Sequence, residues 1–132
     1  MREIEFRGLD VNGNWFYGLL AVGKKDHGDG QTRTCISNSA GSPWAYQVRP
    51  ETVGEYTGME DDNAVKVFED DIAEVVIIDT GGRCTVRRAK IRMSDEGCWM
   101  CGMMYIWAAM DCVGFLVIGN VHQNPELLET EQ

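Results

Sequence analysis

Four residues in the last third of the chain are of types that bind soft metals: Cys98, Cys101, Cys112 and His122. Cys98-Trp99-Met100-Cys101 is a CxxC, and three thiolates with one imidazole could form a closed tetrahedral zinc site. The spacing opposes that. A zinc ribbon draws its ligands from two paired knuckles, and only one pair is present. On an extended strand Cys98 and Cys101 would also face opposite ways. The simpler reading makes these cysteines small buried hydrophobes, so no metal and no cofactor is expected. Redox use of the CxxC lacks a helix N-terminus to lower a thiol pKa.

Two acidic clusters, Glu60-Asp61-Asp62 and Glu69-Asp70-Asp71, have the oxygen chemistry of hard-cation ligands. Neither has the alternating ligands, central Gly and distal Glu of a calcium loop. They read as solvated turns, with Asp71 as a cap for turn amides at the mouth of a strand. His27, between Asp26 and Asp29, and His122 occupy unrelated contexts and make no acid–base pair in sequence. G-x-S-x-G, P-loop and H-E-x-x-H patterns are missing. An enzyme is unsupported and no catalytic residue is assigned.

Two further stretches suit binding rather than reaction. Arg83, Arg87, Arg88, Lys90 and Arg92 place five of the twelve basic residues on one short run. They could face phosphates, with Trp99, Tyr105 and Trp107 as stacking platforms. Pairing with the chain's own carboxylates, within one copy or across a subunit interface, is the favoured reading, because the chain's overall field opposes nucleic acid. The second stretch is apolar: Trp99, Met103, Met104, Tyr105, Trp107 and Met110. A domain this small buries one face of such a segment, and the surplus points to a contact between copies.

Composition sets the frame for these sites. The chain has 132 residues, 44% of them hydrophobic, which is one domain's worth of core without metal or disulfide staples. It reads as one domain, residues 1–132, divisible into lobes 1–58 and 59–132. A net charge of −9 repels phosphate backbones at long range, so nucleic acid is a poor general partner. The five cysteines follow no regular framework and the first residues already alternate as a strand, a pattern of reduced thiols in a cytosol. Uncharged runs such as residues 97–110 are shorter than the roughly 20 residues a membrane span needs.

Fifteen glycines against three prolines predict many tight turns between strands. Ile4 and Phe6 share one face of a first strand, with Glu3, Glu5 and Arg7 on the other. Asn12-Gly13 predicts a two-residue hairpin turn into a strand over 15–22, covered in part on both faces. Residues 23–43 are polar loops around a short strand at 33–37, and 44–48 form another strand before Pro50. Residues 72–79 form the longest buried strand, with its core at 75–78. Residues 84–93 return antiparallel, with Ala89, Ile91 and Met93 opposite Arg88, Lys90 and Arg92. A strand or strand pair follows over 98–110, then a central strand at 115–118. A helical turn begins at Asn124-Pro125, and the last residues, ETEQ, form a tail.

Three blocks carry a resemblance: MREIEFRGLDVNGNWFYG at the start, VRPETVGEYTGMEDDNAVKVFEDDIAEV in the middle, and FLVIGNVHQNPELLE near the end. In order and spacing they are similar to the YopX-like proteins of bacteriophages and prophages. The resemblance implies a mainly β fold, a mixed-sheet pseudo-barrel with long loops that self-associates, and a function that is largely uncharacterised. The leading reading is therefore a self-associating interaction protein with a host or phage partner; a nucleic-acid accessory protein using the basic strand 83–92 is the alternative, and an enzyme or metal-binding protein the third. The family's Asn-Gly and Glu-Gly-Asp read here as Asn63-Ala64 and Glu69-Asp70-Asp71. Each missing Gly would permit positive φ. Asp tolerates that conformation better than Ala, so the Asn63-Ala64 turn is expected to be the more altered.

Overall fold

A computed structural model describes residues 3–24, 32–38 and 45–129. Its contacts gather into two compact units, Met1–Tyr56 and Thr57–Gln132. The fold is mainly β, as expected, but the pairings described are antiparallel throughout rather than mixed.

The first unit holds β1 (Phe6–Leu9), β2 (Trp15–Lys24), β3 (Thr32–Ser37), β4 (Ala45–Gln47), a 3-10 turn at Pro50–Thr52 and the start of β5 (Gly54–Glu60). The strands lie in the order β4-β3-β2-β1-β5. Leu9, Ile36 and Val48 are buried, and the Thr52 hydroxyl ties the 3-10 turn to β1 by accepting from the Leu9 amide and donating to the Arg49 carbonyl. Phe16 stacks on Tyr46 with ring centroids 4.2 Å apart.

The first two strands bury their faces unevenly. Ile4 is exposed, whereas Arg7 is buried with its guanidinium 4.3 Å from the centre of the Trp15 ring, a cation–π contact. Alternation separates two faces without saying which is covered. The outer half of β2 exposes both faces, at Leu19, Leu20 and Val22, instead of covering them.

The second unit holds the rest of β5 beside β6 (Lys66–Phe68), and a five-stranded sheet. That sheet is built from β7 (Asp71–Ile78), β8 (Cys84–Met93), β9 (Trp99–Cys101), β10 (Met104–Tyr105) and β11 (Gly114–Asn120), in the order β10-β9-β8-β7-β11. Two short helices, α1 (Ile106–Met110) and α2 (Glu126–Glu129), follow β10 and β11. The core gathers Val67, Ala73, Val75, Ile91, Ile106 and Phe115.

Burial along β7 is deepest at its start, through Asp71, Ile72 and Ala73, while Ile78 is half exposed, so the predicted core at 75–78 is displaced toward the N-terminus. The segment predicted as a strand or strand pair over 98–110 is a strand pair, β9 and β10, but its second half is helix α1. The final strand lies at the sheet's edge, not its centre.

Four of the hairpins close with one device. In each a five-residue turn begins with Asp or Ser and has a left-handed residue at its fourth position. Asp10 leads the β1–β2 turn: its carboxylate Oδ1 accepts the amides of Asn12 and Asn14 while Gly13 takes φ +84°. Asp79 does the same for Gly81 and Arg83, with Gly82 at φ +82°. Ser94 accepts the Cys98 amide through its hydroxyl, with Gly97 at φ +84°. Asp61 accepts from Asn63 and Val65, and here the fourth residue is Ala64, at φ +63°. The expected two-residue Asn12-Gly13 turn is therefore a longer one, in which Gly13 alone needs positive φ.

Candidate functional site

The soft-metal candidates separate. Cys98 is exposed at a turn, whereas Cys101 is buried in the core. Cys112 lies on the core's margin, with its thiol donating to the Ala108 carbonyl. His122 is engaged elsewhere, with Nε2 3.3 Å from Asp70 Oδ2. Among the described residues no group of three His, Cys, Asp or Glu is placed to hold a metal ion. Burial pushes the Cys101 thiol up to about 11, the nearby Cys112 adding to the effect, so it stays protonated and unreactive at neutral pH. His27 lies outside the described residues.

The acidic clusters are solvated turns only in part: Glu60 and Asp62 are exposed, whereas Asp61 and Asp71 are buried. Asp61 is 8% exposed; besides holding its own turn, its Oδ2 accepts the Val117 amide at 2.9 Å. Asp62 Oδ2 accepts the Phe115 amide, and its own amide donates to the Phe115 carbonyl. These two residues cover the outer edge of β11 where a neighbouring strand would otherwise lie. Asp71, 2% exposed, accepts the Phe68 amide and so caps the entry to β7 as its position suggested. Asp70, at φ +71°, donates to the Ile91 carbonyl, accepts from Val121 through its own carbonyl, and holds His122 by its side chain. Ala64 also adopts the left-handed conformation instead of reshaping its turn. Sequence reading missed the reach of Asp61 and Asp62 to β11 because the partners lie more than fifty residues away.

The basic run divides by the pleat of β8. Arg88, Lys90 and Arg92 share one face, and Arg87 shares the other with Ala89 and Ile91. Arg88 stands directly opposite Glu74 on β7 and pairs with it at 3.2 Å. Arg92 donates to the Gly102 carbonyl. Arg83, Arg87 and Lys90 are exposed.

The apolar run divides as well. Trp99, Met104 and Met110 pack against the core. Met103, Tyr105 and Trp107 stand outside it, 90%, 51% and 67% exposed. The cause is local. Cys101 and Met104 pair across a two-residue turn whose first position, Gly102, has φ +61° as a type II′ hairpin requires. That turn puts Met103 at the hairpin tip. Tyr105 and Trp107 flank the start of α1, their rings parallel within 10° and 6.1 Å apart. Between this hairpin and β8 runs a groove of about 410 Å³, floored by Val75, Ala89, Cys101 and Met104, with Arg87, Arg88 and the hairpin-tip Met103 also lining it. A larger, more open hollow of about 600 Å³ lies in the first unit, lined by Ile4, Glu5, Tyr17, Leu19, Ser37 and Asn38.

No helix among the described residues is long and apolar enough to cross a membrane. No curated protein matches the chain. Among solved structures, the crystal structure of protein EF1440 from Enterococcus faecalis is similar in fold, with a TM-score of 0.57 at 19% identity, over 97% of this chain and 99% of that one. The model of the YopX protein family matches residues 5–129, nearly the whole length, and the chain belongs to that family.

Proposed function

We propose that this chain is a phage- or prophage-encoded interaction protein that works by binding and assembles with a second copy of itself through Met103, Tyr105 and Trp107. The observation that carries the reading is the exposure of these three large side chains on one hairpin-and-helix segment, with two of the rings already stacked. Aromatic and Met side chains are the residue types enriched at the cores of interfaces. The phage setting, the bacterial cytoplasm and a host or phage protein partner rest on family membership.

Sedimentation equilibrium at micromolar to 100 µM protein tests it. A dimer or larger assembly is expected, and Trp107→Lys should weaken it by about thirtyfold, the effect of losing about 2 kcal/mol at a contact centre. Unchanged circular dichroism would show that the variant remains folded. A wild-type monomer throughout that range would overturn the reading. Tight, salt-sensitive retention of single-stranded DNA would instead favour an accessory role through Arg83, Arg87, Arg88, Lys90 and Arg92.

A further inference from the structure

We propose that the overhanging edge of β8 is a docking site for an extended acidic segment of another protein, which adds to the sheet as a strand. The two strands flanking β8 differ in reach. β7 pairs with it from Cys84 to Lys90, whereas β9 pairs only from Ile91 to Met93, closed by the Gly102 amide donating to the Lys90 carbonyl. Residues 84–89 thus have a strand on one side and none opposite among the described residues. Because the Lys90 carbonyl faces β9, antiparallel alternation turns the main-chain groups of Cys84, Val86 and Arg88 the same way, past the end of β9. Cys84 and Val86 are exposed. This is the edge that strand addition uses.

Charge and shape then select the occupant. Arg83 and Arg87 stand exposed on this edge, and Arg87 makes no ion pair among the described residues. Two copies pairing edge to edge would set arginine against arginine, which opposes a β8–β8 contact. An acidic strand meets complementary charge. The groove beside the edge opens on the Arg87 face, with Val75, Ala89, Cys101 and Met104 as an apolar floor. It suits one apolar side chain of the incoming strand, with a carboxylate two residues along reaching Arg87. At the far side of the same sheet the chain does this to itself, laying Asp61 and Asp62 carboxylates on the amides of edge strand β11. A phosphate backbone is the poorer fit: Arg88 is held by Glu74, and the chain's net charge of −9 repels it.

The test is fluorescence anisotropy with a labelled nonapeptide alternating glutamate and valine, its lysine counterpart, and a labelled oligothymidine. The glutamate peptide should bind at least about tenfold tighter than either of the others. Arg87→Glu, and Val86→Pro, which removes only an outward amide, should each weaken it by about tenfold or more. In the wild type the bound peptide should slow hydrogen exchange at the Val86 amide, a readout that needs no variant to fold. Equal binding of the two peptides, tighter binding of the oligonucleotide, or no protection at Val86 would overturn the proposal. Trp107→Lys, which frees Met103 at the groove's mouth from the contact between copies, should bind the peptide at least as tightly as the wild type does. Loss of binding there would assign the peptide to the self-association surface and overturn it as well.

Discussion

Ala64 is the residue whose backbone is least at home. Its φ of +63° puts Cβ against its own carbonyl, at a cost of roughly 1–2 kcal/mol. It is held there by Asp61, whose carboxylate and carbonyl accept the amides on either side of and at Ala64. The other three turns of this type have Gly at the same position. Ala64→Gly should therefore raise stability by about 0.5–1 kcal/mol, after the extra flexibility of Gly in the unfolded chain is subtracted. Urea unfolding with unchanged slope would show it, and a destabilised variant would mean the Ala64 methyl has a packing role. Asp70, also left-handed, should respond the other way: Asp70→Gly relieves the backbone but gives up the His122 contact. Cysteine chemistry is settled at this scale too. Cys84 and Cys98, both exposed, should react with a thiol reagent at pH 8 in the folded protein, and Cys101 only on unfolding. A thiol held at about 11 when folded and at 9.0 when unfolded favours the fold below pH 9. That advantage is lost as pH rises from 9 through 11 and amounts to about 2–3 kcal/mol at most. Stability of Cys101→Ala should lack this decline between pH 9 and 11.

At the scale of elements, the second sheet depends on substitutes for strands. β11 is an edge strand whose outer amides at Phe115 and Val117 are occupied by Asp62 and Asp61. Asp61→Ala would remove three amide contacts at once and leave the Val117 amide without an acceptor, which should cost about 2–4 kcal/mol in chemical denaturation. Asp62→Ala, whose side chain accepts one such amide, should cost about 1–2 kcal/mol. Equal, small losses would show that water replaces both carboxylates readily. These non-local contacts mark where sequence ceases to be legible. The bounds of β8 could be read off, because alternating apolar and basic residues from Cys84 to Met93 end in turn residues on both sides. The centre-or-edge position of β11 could not, because FLVI looks the same whether a strand or a pair of carboxylates lies beside it. Helix α1 escaped for a different reason: five residues are too few to establish a 3.6-residue period against the strand-like tract around them. The repeated Asp/Ser-x-x-Gly-x turn was present in plain sight, yet only Asn12-Gly13 stood out, since Ala64 breaks the pattern at the one turn whose leading Asp has a second task. The candidate site was half legible: which residues are unusual could be seen, but not that the pleat divides the basic run or that Gly102 turns Met103 outward.

For the whole molecule, charge distinguishes two ways in which copies could meet. Each copy carries a net −9 and a pI near 4.6, so approach is resisted by repulsion that salt screens, the Debye length falling from about 10 Å at 0.1 M to about 3 Å at 1 M. An interface centred on Met103, Tyr105 and Trp107 gains nothing from opposite charges, so screening should leave the apolar contact intact and reduce the repulsion. Self-association should then strengthen, by roughly three- to tenfold in Kd between 50 and 500 mM NaCl. Lowering the pH from 8 toward 5, where carboxylates begin to protonate, should act in the same direction. If the basic residues of β8 instead met carboxylates of a second copy, the same salt would weaken the assembly, because screening would remove the attraction itself. Sedimentation equilibrium across the salt series therefore reads the sign directly. Association that falls with salt would move the interface from the aromatic ridge to Arg83, Arg87 and Lys90, and would place a second copy, rather than a foreign acidic strand, on the open edge of β8.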